Sequence, residues 1–126
     1  MRLNTRMPTR LRPYFKAEIN AYYEALKEVK LKQAWHHLER AHVIGQAYSW
    51  EHSYAHWKML LFGIRIKNTK EVLGQLPRLL VGGVKSFVGK VPVGNTGGAN
   101  IPPLKRLPID AEIEALFEKA GVQPFQ

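Results

Sequence analysis

Cysteine is absent from the 126 residues, which excludes a disulfide framework, a thiolate metal site and a cysteine nucleophile. Any metal must therefore rest on nitrogen, oxygen or thioether sulfur. Long apolar runs are missing too. The most apolar stretch, 79–93, is broken by Lys85 and Lys90 and by three glycines, too short and too charged to span a bilayer. Acidic residues are scarce, ten against nineteen Lys and Arg, for a formal net charge of +9. No acid occurs in residues 1–16 or 72–109, which hold Arg2, Arg6, Arg10, Arg12 and Lys16, then Arg78, Lys85, Lys90, Lys105 and Arg106. That asymmetry suits an acidic partner, whether a protein, a nucleic acid or an anionic lipid surface, although no nucleic-acid-reading signature accompanies it. The basic amino terminus is not followed by an apolar core of signal-peptide length, so a cytoplasmic, bacterial-type protein is expected.

At 45% hydrophobic and 23% charged residues, the chain has enough apolar side chains for one modest core. The expected organisation is a basic arm over 1–12 and a single helical domain over 13–126. Pro13 can open a helix, and Phe15, Ile19, Tyr22, Leu26 and Val29 recur at the three- and four-residue spacing of one buried face. Leu31, Ala34, Trp35, Leu38, Ala41, His42 and Gly45 repeat that period in a second helix. The pair from Pro13 to Gln46 has the small-residue packing of a tetratricopeptide unit. A third helix is predicted from Tyr48 or Ser49 to about Lys67, with Trp57, Leu60 and Ile64 filling the face beside its histidines. Asn68 or Thr69 can cap a fourth, which Pro77 is expected to stop or kink. Asp110 can cap a last short helix bearing Ile113, Leu116 and Phe117, ended by Gly121. Between them, 92–103 is rich in Gly, Pro and Asn and reads as a long loop. It lacks the GxxxxGK[ST] pattern of a phosphate-binding loop. The fold class is all-α, a compact bundle of four to five helices.

All five histidines and all three tryptophans fall between Trp35 and Trp57. His52 and His56, four residues apart, present both rings on one face of a helix, a spacing suited to a single ion. His42 lies in the apolar stripe of the preceding helix, which an antiparallel connection can bring opposite them. Glu39, three residues before His42, and Glu18, beside the stripe of the first helix, are the candidates for a fourth ligand. Three His and one Glu suit Zn, Fe, Mn, Co or Ni, while Met59, three residues beyond His56, would favour Cu. Di-iron proteins need a Glu-x-x-His pair on two helices, and here there is one, so a mononuclear site is expected. No Ser-His-Asp arrangement or nucleotide fingerprint argues for an enzyme. The competing reading is a helical interaction module with structural histidines and a basic surface. The sequence does not set the oligomeric state.

The segment AWxxLERAHVxGQ from Ala34 to Gln46, the following His52 and His56, and PVGNTGGAN from Pro92 to Asn100 resemble a small bacterial family of domains of unknown function. The likeness runs from about Tyr14 to Leu116. Similar proteins are met near heavy-metal resistance and efflux genes, so the resemblance implies, by association only, a role in metal handling or resistance.

Overall fold

The computed structural model describes residues 6–82, Gly98 and 109–122. Among them are five helices and no strand: α1 (Arg12–Lys27), α2 (Leu31–Gly45), α3 (Ser49–Arg65), α4 (Thr69–Gly82) and α5 (Ala111–Ala120). The loop over 92–103 (apart from Gly98), the stretch 83–91, residues 1–5 and Phe125 lie outside the described residues. Successive helices pack α1 on α2, α2 on α3 and α3 on α4, as short connections between amphipathic helices favour. Phe15, Ile19, Tyr22 and Ala25 of α1 meet Ala34, Leu38 and Ala41 of α2 in the core, which Ile113, Phe117 and Ala120 of α5 complete. Met7 and Leu11, ahead of α1, are buried in the same core. At the corner between α2 and α3, Gly45 is required: a Cβ there would stand 2.8 Å from Glu51 Cβ and 3.0 Å from Phe15 Cε2.

Three helices end alike, with a backbone N–H reaching back five residues and a left-handed residue just before it. Lys30 donates to Ala25 at 2.8 Å, Asn68 to Gly63 at 2.9 Å and Val122 to Phe117 at 3.1 Å. The left-handed residues are Val29 (φ 57), Lys67 (φ 57) and Gly121 (φ 67). This is the Schellman arrangement, in which glycine is favoured. Val29 therefore does not extend the buried face of α1 as its spacing suggested; it follows the helix and is 69% exposed. A β-branched residue there is strained by roughly 1–2 kcal/mol, with little packing to lose. Val29→Gly is expected to raise stability by about 0.5–1 kcal/mol once the greater freedom of unfolded glycine is deducted, read as a higher urea midpoint.

Two further expectations are corrected. α4 is capped as anticipated, Asn68 Oδ1 accepting from the Glu71 N–H at 3.0 Å, but it runs through Pro77 to Gly82. Proline's φ is itself helical, and Leu73, whose carbonyl its missing N–H would have met, is 61% exposed, so water can take that acceptor. On α3, Trp57 and Ile64 do not fill a buried face. With Trp50 and Leu61 they form an exposed apolar stripe, while Glu51, His52, Ala55, His56, Met59 and Phe62 face inward.

Glu51 is 8% exposed and its Oε1 has no hydrogen-bond partner. Burial raises its pKa, against its own backbone N–H and the Arg12 charge, which lower it. For an acid with a raised folded pKa, the folded state binds the proton more tightly, so stability falls as pH rises from the ordinary carboxylate range through the folded value. Glu51→Gln is therefore expected to raise the melting temperature at pH 7, with the gain vanishing below about pH 4, where both states are protonated.

Candidate metal centre

Helix α2 delivers His42 three residues before its end, and Tyr48 donates to the Gly45 carbonyl at 2.9 Å as the chain turns. α3 then returns with His52 and His56 one turn apart. All three rings are buried, at 2%, 7% and 2% exposure, and they meet through one atom of each. His56 Nε2 lies 3.1 Å from His42 Nε2 and 3.0 Å from His52 Nε2. Ring centroids are 4.4–4.8 Å apart, with His52 and His56 nearly perpendicular at 89°. Tetrahedral zinc with Zn–N bonds of 2.0–2.1 Å sets its ligand nitrogens about 3.3 Å apart. The measured edges are within a few tenths of an ångström of that.

The remaining nitrogen of His56 explains why its Nε2 can act as a ligand. Nδ1 lies 2.6 Å from Gln75 Oε1, and Gln75 Nε2 donates to Glu71 Oε2 at 2.8 Å and to Met59 Sδ at 3.6 Å. A carboxylate can only accept, so Glu71 fixes the amide with its oxygen toward His56. That oxygen holds the proton on Nδ1 and leaves the lone pair of the neutral ring on Nε2, the outer-layer support common around metal-ligating histidines. Two ring nitrogens therefore face one lone pair, which satisfies one hydrogen bond well. A cation at their centre would use all three nitrogens.

Gln75, with no exposed surface, was not foreseen from the sequence. Its available signal was the spacing of four from Glu71 on a helix that continues past Pro77. Of the two carboxylates anticipated as ligands, Glu18 is turned to other partners. Its oxygens accept from His37 Nδ1 at 2.8 Å and Arg40 Nε at 2.9 Å, and Arg40 Nη1 continues to Glu112 Oε2 at 2.8 Å. Burial disfavours the Arg40 charge, but Glu18 and Glu112 outweigh it and raise its pKa. Glu39 is half-buried on α2, and His36 is exposed. Among the described residues, the group whose ligand atoms fall within 4.8 Å of one another consists of His42, His52 and His56, without Glu18 or Glu39. Three imidazoles suit borderline transition metals, and hydrolytic use would need an open fourth position for water.

No curated protein and no solved structure matches the chain. A family model described as a protein of unknown function (DUF3703) matches residues 9–117, covering α1 to α4, the segment between α4 and α5, and most of α5. The chain belongs to that family.

Proposed function

We propose that the protein is a cytoplasmic metal-binding protein that holds one transition-metal ion on the Nε2 atoms of His42, His52 and His56, in the service of metal handling or resistance. The observation that carries this reading is the convergence of three buried ring nitrogens at 3.0 and 3.1 Å around His56 Nε2, whose lone pair Gln75 exposes to the centre. For a fourth ligand, Glu39 stands one turn before His42 on the same helix, whereas both oxygens of Glu18 are engaged. Zn, Fe, Mn, Co, Ni and Cu all accept such nitrogens, and Met59 beside the cluster is the feature that would favour copper.

The test is elemental analysis of untagged protein, with melting temperatures before and after chelation. Near one equivalent of metal is expected. A metal present at 100 times its Kd adds about 2.7 kcal/mol, so chelation should lower the melt by roughly 5–10 °C. The reading fails if replacing His52 and His56 together leaves metal stoichiometry unchanged. A metal-free protein whose melt ignores added ions would make the trio a polar core within an interaction module.

A further inference from the structure

Between α1 and the first turns of α3 lies a groove of about 510 Å³, lined by Arg12, Phe15, Lys16, Trp50, Glu51 and Tyr54, a volume suited to a small organic ligand. It is separate from the histidine cluster, and its case does not depend on a metal. Three features bear on its occupant. Glu51 is more than nine-tenths buried, yet its Oε1 accepts no hydrogen bond. A carboxylate in the first turn of a helix interacts favourably with the helix dipole even when exposed, so capping does not explain burying this one with an oxygen unserved. An N–H donor from outside would supply what the fold omits.

The second feature is aromatic. Trp50 is 71% exposed, and Tyr54 lies 6.5 Å from it at a shallow interplanar angle of 36°. Phe15 meets Tyr54 edge-on at 6.3 Å. Such faces accept a planar ring. The third feature is charge. Arg12 and Lys16 are exposed one turn apart on α1, with Arg12 Nη2 3.4 Å from the Met7 carbonyl. An organic ammonium would satisfy Glu51 but meet two like charges at the rim. An aliphatic acid would satisfy the rim but leave both Glu51 and the aromatic faces unused.

We propose that this groove binds a purine nucleotide, with the base stacked on Trp50, a base N–H donated to Glu51 Oε1, and the phosphate held by Arg12 and Lys16.

The test is titration of the full chain at low salt with GMP and AMP, followed through indole N–H and backbone amide resonances. A saturable shift at Trp50, Tyr54 and Lys16 is expected with at least one of the two. Glu51→Leu, which removes the acceptor while leaving an apolar side chain of similar length, should weaken binding about fivefold or more. Its melting temperature should be equal or higher, which separates lost binding from lost fold. Replacing Arg12 and Lys16 together by Ala should weaken binding about tenfold or more and flatten its salt dependence. Ribose 5-phosphate, which lacks the base, should bind about tenfold more weakly than the nucleotide. The proposal is overturned if neither nucleotide gives a saturable shift up to about 5 mM, if ribose 5-phosphate binds equally well, or if an aromatic amine such as tyramine saturates these residues and the nucleotides do not.

Discussion

Replacing His56 with Ala is expected to lower Zn²⁺ affinity by a factor of about 100 or more, the largest effect of any single substitution in this protein. Structural zinc sites bind with about 10–16 kcal/mol. Shared among four ligands, that is roughly 3 kcal/mol each, or about 100-fold. His56 should sit at or above this figure because its Nε2 is the atom from which the 3.1 Å and 3.0 Å distances to His42 and His52 are both measured. A graded companion follows from the outer layer. Gln75→Leu leaves all three ligand nitrogens in place but removes the acceptor at 2.6 Å that keeps the His56 proton on Nδ1. Losses of about 10–100-fold are typical when such a partner of a metal ligand is removed. Competition against a chromophoric chelator measures both, and melts in excess chelator separate affinity from folding. Equal affinity in wild type and His56→Ala would remove the metal from this site. A Gln75→Leu protein as tight as wild type would leave the metal and remove the role assigned to the amide.

Much of this architecture is legible in the sequence because burial on a helix repeats every three to four residues. Phe15, Ile19 and Tyr22 mark α1, and Leu38, Ala41 and His42 mark the inner face of α2. Asp110 and Gly121 bracket α5, with Asp110 Oδ1 accepting from Glu112 N at 3.0 Å and Gly121 at φ 67. The inward direction of His42, His52 and His56 follows from the same periodicity. What escaped it has separate physical causes. Periodicity says that a face is apolar, not that another element covers it, so Trp57 and Ile64 on α3 read as buried although they face out. Nor does it mark where an apolar residue passes from the last turn of a helix into the reversal after it, as Val29 does. Gln75 was hidden because Pro77 suggested an early end to α4, and because a glutamine shows no sign, in a single sequence, of the side chain it will meet. Glu18 reads as inward-facing, which is correct, but which cation would claim it depended on the crossing of α1 and α2.

That crossing leads to the second large effect. Glu18→Gln is expected to cost about 2–3 kcal/mol of stability while leaving metal content unchanged. The Glu18 side chain is 11% exposed and that of Arg40 13%, with 2.9 Å between Oε2 and Nε. Removing one member of a buried pair leaves the other's charge inadequately compensated, at about 3–5 kcal/mol in full burial, reduced here because both groups retain some solvent and the neutral amide can still accept a hydrogen bond. Glu112 cannot replace Glu18. Its side chain is 77% exposed, and exposed pairs contribute about 0–1 kcal/mol, so Glu112→Gln should change stability by less than about 1 kcal/mol. The contrast between the two variants in urea denaturation locates the energetic centre of the chain His37, Glu18, Arg40, Glu112 at the contact of α1 with α2 rather than at α5. Metal analysis of the Glu18→Gln protein then decides the carboxylate's role. Full metal with lowered stability fits a residue that fastens two helices, whereas lost metal would show that Glu18 leaves Arg40 to complete the ligand set.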